Sequence, residues 1–104
     1  MPPTDAVATA RLLRSEGFVE GEMSSEPGWY IIWRPDEVEL YNREYELSNF
    51  APDYVAFGQD GGNELLVLDS SGAVFMLPAI GMSTDAARRI ADSIVEFKSQ
   101  MKRG

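Results

Sequence analysis

One run sets the hydrophobic pattern of this chain. Leu65-Leu66-Val67-Leu68 shows neither the alternation of a half-exposed strand nor the three-to-four-residue spacing of a helix face. A short continuous apolar run between turn signals predicts a central strand covered on both faces. Gly58-Gln59-Asp60-Gly61-Gly62-Asn63 and Asp69-Ser70-Ser71-Gly72 supply those signals, because Gly, Asn and Asp tolerate the backbone of tight reversals. Tyr54, Val55 and Phe57 favour a strand before the first turn, and Ala73–Leu77 reads as a third strand. Pro78 cannot donate to a ladder and ends it. Three strands joined by two turns make an antiparallel meander, with Leu65–Leu68 in the middle and positive φ at Gly61 or Gly62.

The other segments are arranged to cover this sheet. Met1 to Thr4 reads as a frayed terminus. Thr4 or Asp5 is placed to cap a helix to about Ser15, with Ala6, Val7, Ala10, Leu12 and Leu13 near one side and Gly17 at the C′ position. Phe18–Met23 reads as a short edge strand and Trp29–Trp33 as a second, paired as a hairpin across the Pro27-Gly28 turn. Pro35 suits a first helical position, followed by Asp36 and Glu37, which complement the helix dipole. Val38, Tyr41 and Tyr45 then mark the inner face of a helix to about Leu47. Ala79–Met82 reads as a connector or a last short strand. A final helix is predicted from a cap at Thr84, with Ala87, Ile90, Ala91, Ile94, Phe97 and Met101 as its apolar stripe. The sum is a single α+β domain, a twisted antiparallel meander with helices packed against it.

Charge adds a direction. The net charge is −8, and residues 36–69 hold nine acids (Asp36, Glu37, Glu39, Glu44, Glu46, Asp53, Asp60, Glu64, Asp69) against Arg43 alone. Such a field repels phosphate backbones and anionic lipid and attracts basic proteins, so a protein partner is expected and nucleic acid and membrane are not. The plain alternative is that the acids only keep the domain soluble. There is no cysteine and no histidine, which removes the thiol nucleophile, the thiolate metal ligand and the usual general base. No apolar run approaches the length of a membrane helix and no signal-like leader is visible, so the cytoplasm is the expected compartment.

Candidate chemistry is sparse. Asp60-Gly61-Gly62-Asn63-Glu64 lacks the alternate-position oxygen ligands and late closing glutamate of a calcium loop, and reads as a capped turn. The glycines around it fit neither a dinucleotide nor a P-loop spacing. Nothing pairs two carboxylates in a cleft, and no histidine activates a serine. No cofactor or metal is expected. The aromatics Trp29, Tyr30, Trp33, Tyr41, Tyr45, Phe50 and Tyr54 are expected mainly in the core, with a surface near Trp29 and Tyr30 as a second place for contact.

Together, Trp33, the acidic helix after Pro35 with Asn42 and Tyr45, then Pro52, Tyr54, Phe57-Gly58, Asp60-Gly61-Gly62, Glu64-Leu65-Leu66, Asp69, Val74, Pro78 and Ile80-Gly81 resemble the SUKH superfamily. That superfamily takes in bacterial immunity proteins and fungal regulators of the Smi/Knr type. The resemblance runs from about Trp33 to Met101 and is that of a short member. It implies an α+β fold and a non-enzymatic binding protein, an immunity protein that neutralises a toxin domain by direct contact. It also implies that Trp33, Asn42, Tyr45, Tyr54, Phe57, Gly58, Asp60, Gly61, Gly62, Glu64 and Asp69 are architectural. Contact with the partner is expected from Asp36, Glu37, Glu44, Glu46 and Asp53. A regulatory scaffold without a toxin partner is the rival reading, and a small hydrolase using carboxylates the third.

Overall fold

The computed structural model describes residues 4–103, the Thr4 side chain excepted. Of the stretch expected to fray, Met1 to Thr4, residues 1–3 lie outside the described residues and Thr4 is already helical; a cap from the Thr4 side chain also lies outside them. Six strands form one antiparallel sheet in sequence order: β1 (Glu20–Glu22), β2 (Trp29–Ile32), β3 (Val55–Gln59), β4 (Glu64–Leu68), β5 (Val74–Pro78) and β6 (Arg88–Ala91). Among the described residues four α-helices accompany it: α1 (Thr4–Ser15), α2 (Pro35–Glu44), α3 (Leu47–Phe50) and α4 (Ile94–Lys98). The fold is therefore α+β. No helix among the described residues is long and apolar enough to cross a membrane.

The meander stands as the hydrophobic pattern predicts. β4 pairs with β3 on one side and β5 on the other, and all four of Leu65, Leu66, Val67 and Leu68 are buried. Gly61 takes φ +85 at the β3–β4 turn, whereas Gly62 does not have a positive φ. Both turns use one device. Asp60 Oδ1 accepts from the Gly62 and Glu64 amides at 2.7 and 3.3 Å. Asp69 Oδ1 accepts from the Ser71 and Ala73 amides at 2.9 and 3.1 Å. A carboxylate that receives the second and fourth following amides closes a short turn whose N–H groups would otherwise lack partners.

α1 packs against β2, β3 and α2 through Ala6, Ala10 and Leu13, spaced i, i+4 and i+7. Asp5 lies in its first turn and does not cap it. Leu12, expected on the packed side, is 45% exposed because its position turns it away from that stripe. Gly17, at φ +92, ends the helix with the Phe18 amide bonded back to Leu13 O at 2.9 Å.

Two helix expectations are corrected. The helix after Pro35 stops at Glu44 instead of reaching Leu47. Leu47 lies nine residues beyond Val38, about half a turn out of phase at ~100° per residue, so a continuous helix would face it to solvent. Glu46 adopts the left-handed region (φ 56), and α3 restarts with Leu47 buried. The second correction is larger. The segment expected as one helix from Thr84 to Met101 is a 3-10 turn (Thr84–Ala86), then β6, then the short α4. β5 needs a partner for its second edge, and Val74, Phe75 and Met76 pair with Ala91, Arg89 and Arg88. Arg88 also forms ion pairs with Glu64 at 2.7 Å and with Glu26 in the β1–β2 loop, links that a helix would not supply. Ser93, not Thr84, caps the helix: its Oγ accepts from the Glu96 amide at 3.1 Å, and the Glu96 carboxylate accepts from the Asp92 amide at 3.1 Å. Phe97 and Met101 remain buried as the stripe predicts, with Phe97 edge-on to Phe57.

Beyond α4 the chain returns to β1. Met101 bridges Met23, the Ser24 amide donates to Gln100 O at 2.8 Å, and the Lys102 amide donates to Glu22 O at 2.9 Å. The curled sheet thus has its first strand covered by the residues that follow its last.

Candidate protein-binding surface

The acidic helix is held by its own neighbours in a definite pose. β2 runs beside β3 only through Ile31–Gln59 and Ile32–Gly58, and the Trp33 amide makes a last bond to Phe57 O at 3.1 Å. The chain then turns into α2 at Pro35, which has no N–H to offer. Phe57 is the extra residue of a bulge at this point, because Ala56 and Gly58 pair with the consecutive residues Val67 and Leu66. The Ala56 N–H and C=O are left facing the place β2 has vacated. Asn42 fills it. Its Oδ1 accepts from Ala56 N at 2.8 Å, and its Nδ2 donates to Ala56 O at 2.8 Å and Val38 O at 2.7 Å. One amide side chain thus continues the ladder where the strand ends, and it fixes α2 against β3. Among the described residues, Asn42 is the buried polar residue of the core.

Trp33 locks the same corner. Its ring lies 4.7 Å from Tyr41 and 6.4 Å from Tyr45, parallel to the latter within 2°. Its Nε1 is buried with no hydrogen-bond partner among the described residues. Gly58 is required by close approach: a Cβ there would lie closer than 3.0 Å to the Ile31 carbonyl oxygen.

With α2 so placed, the acids divide. Asp36 forms an ion pair with Arg34 at 2.6 Å. Glu37 accepts from the Arg34 amide at 3.2 Å and from the Tyr41 hydroxyl at 3.5 Å, which makes it a helix cap and not a free contact. Glu44, Glu46 and Asp53 are exposed and in no ion pair among the described residues, and so is Glu39, a residue not among the contacts expected from sequence. Glu39, Arg43, Glu46, Asn49 and Tyr54 line an open groove of about 510 Å³ between α2, α3 and the start of β3. Glu44 and Asp53 lie outside its lining. The negative charge is felt locally: Glu37 raises the Tyr41 hydroxyl pKa, while burial, with Asp69 and Asp53, raises that of Tyr54.

The remaining motif residues make contacts within the fold. Asp60 and Asp69 close turns, Gly61 supplies the positive φ, and Glu64 is half-buried against Arg88. Partial burial pushes the Asp69 carboxyl upward, but the Ser71 hydroxyl and the Ser71 and Ala73 amides, with Arg89 nearby, outweigh it and hold it below the usual carboxylate range. Tyr54 packs edge-on to Phe75 at 5.0 Å. Of the aromatic pair considered as a second surface, Tyr30 is fully buried and only Trp29 reaches solvent. The described residues bring no three His, Cys, Asp or Glu side chains together as a metal ion would need.

No protein-family model matches this chain, and no curated protein matches it.

Proposed function

We propose that the domain binds a basic protein through the α2–α3 surface and acts as an immunity protein that neutralises a toxin domain by contact. The observation that carries this reading is a set of four exposed carboxylates, Glu39, Glu44, Glu46 and Asp53, in no ion pair among the described residues and with Arg43 as the base beside them. They stand on a helix and loop that Asn42 and Trp33 hold rigidly. Unpaired like charges that merely solubilise a domain need no fixed frame. A fixed acidic frame steers a basic partner and raises its association rate, an effect that fades as salt screens it. The sequence resemblance to SUKH immunity proteins points the same way.

The test is the association rate with the product of the adjacent gene, measured by stopped flow at low salt and at about 0.15 M ionic strength. A Glu39→Gln, Glu44→Gln, Glu46→Gln, Asp53→Asn variant should associate roughly tenfold more slowly at low salt, and less differently at high salt. Each change leaves the Asn42 contacts and the Glu37 cap in place. An on-rate indifferent to both salt and the four substitutions overturns the assignment of this surface.

A further inference from the structure

The chain has two tryptophans, and their surroundings differ. Trp33 is 4% exposed and Trp29 38%. In the β1–β2 ladder Glu22 lies directly opposite Trp29, and Glu20 opposite Ile31. Opposite residues share a face of the sheet, as do residues two apart on one strand. Glu20 and Glu22 are exposed while the intervening Gly21 is buried, so both carboxylates project beside Trp29. On its other flank the β3–β4 turn supports the ring: a Cβ on Gly61 would sit 3.5 Å from Trp29 Cδ1 and 3.6 Å from Ile31 Cδ1. Val19 and Trp29 line an open groove of about 580 Å³, rimmed by Glu20, Glu22, Lys102 and Arg103. The two bases are not equivalent. Arg103 is turned toward α1, with its guanidinium 4.5 Å from the Phe18 ring centre and its Nε donating to Glu16 O at 2.6 Å. Lys102 stands 4.0 Å from Glu22, a long ion pair between two side chains that are each about two-thirds exposed. Glu20 is in no ion pair among the described residues.

We infer that Trp29, Glu20 and Glu22 form a docking site for an arginine side chain of a basic protein partner. A tryptophan ring attracts a cation, and a guanidinium is planar, weakly hydrated and able to stack where an ammonium cannot. Two carboxylates on the neighbouring strand then meet the guanidinium edge with charge-assisted hydrogen bonds. Lys102 competes for Glu22 in the free protein and gives way when the arginine enters. The chain's net charge of −8 favours the approach of such a segment. The site stands on its own observations, and it survives if the α2–α3 surface proves not to bind.

The two indole N–H signals in a 15N-labelled sample make the test internal. The probe is an acetylated, amidated Gly-Arg-Gly-Arg-Gly peptide, compared with the same peptide carrying citrulline, the uncharged isostere. The arginine peptide should shift the Trp29 indole signal saturably and leave that of Trp33 in place. Glu20→Gln and Glu22→Gln should each weaken binding about two- to fivefold. Lys102→Ala should tighten it. An equal shift with the citrulline peptide, unchanged binding in the two Gln variants, or parallel movement of the Trp33 signal would overturn the inference.

Discussion

Replacing Asn42 tests the central structural claim, that a side chain completes the ladder where β2 leaves the sheet. Asn42→Ala deletes the two bonds to Ala56 and leaves its N–H and C=O without partners in a residue that is fully buried. Each orphaned buried group costs about 1–3 kcal/mol, so the loss from two is on the order of 2–6 kcal/mol, a large part of the ~5–15 kcal/mol typical of a domain. Asn42→Leu restores volume without restoring the bonds and should be nearly as damaging, which separates orphaned polar groups from a cavity. Asn42→Asp adds a pH signature. The introduced carboxylate can still accept from Ala56 N but faces the carbonyl oxygens of Val38 and Ala56, to which Asn42 Nδ2 now donates. Only its protonated form can donate, so its folded pKa rises above the unfolded value of about 3.9. The native state then binds more protons than the unfolded state between the two pKa values. The contribution of this site is therefore greatest below about pH 4 and falls by up to about 1.4 kcal/mol per pH unit as pH rises from there to the folded pKa. Urea denaturation followed by circular dichroism at several pH values measures all three. Alanine and leucine variants within about 0.5 kcal/mol of wild type, the scatter of ordinary surface changes, would refute the account. So would an aspartate variant whose pH dependence matches that of wild type.

Three further outcomes are expected. Gly58→Ala forces a Cβ against the Ile31 carbonyl oxygen, backbone against backbone, and should lower stability by about 1–3 kcal/mol or more; an unchanged urea midpoint would show that the strands separate freely there. Gly61→Val should destabilise by about 1–3 kcal/mol through its positive φ, while Gly62→Ala, with no contact nearer than 3.4 Å, should cost clearly less; equal midpoints would reject the distinction. The Asp69 carboxyl is depressed in the folded state, so its contribution is present above the unfolded pKa of about 4 and is lost as pH falls through the lower folded value. Asp69→Asn should flatten the acid limb of the stability profile, and an acid limb as steep as that of wild type would contradict this.

The sequence revealed most where structure is local. The meander was legible because each reversal carries its own chemistry, an aspartate followed by glycine with amides in reach. The last third was not, because Ala87, Ile90, Ala91, Ile94, Phe97 and Met101 satisfy helical spacing whether or not β5 lacks a neighbour. That need exists only once the sheet is assembled. One local signal was there to be read: Ser93-Ile94-Val95-Glu96 has the Ser-x-x-Glu pattern of a helix start, and Ser93 is the N-cap. The break at Glu46 was similarly encoded in the phase of Leu47 relative to Val38. In the candidate surface, acidity predicted exposure for Glu44, Glu46 and Asp53, but it could not show that Glu37 sits three residues after an N-cap and is engaged there. The partner of Asn42 lies 14 residues away on another element, beyond the reach of any periodicity.

The return of the chain to β1 has a consequence for self-association. An open sheet ends in two rows of unpaired backbone groups, each a template on which another chain can add a strand and begin a fibre. Here residues 100–102 occupy the β1 side through the Met23–Met101 bridge and its flanking bonds. The other end is β6, four residues long with Arg88 and Arg89 exposed on it. A short edge carrying charged side chains, Arg88 paired with Glu64 and Glu26 and Arg89 with Asp92, is a poor template, since an added strand would have to displace or bury those ion pairs. A first edge covered over residues 22–24 and a short, charged last one leave a sheet with a strongly apolar middle less opportunity to grow.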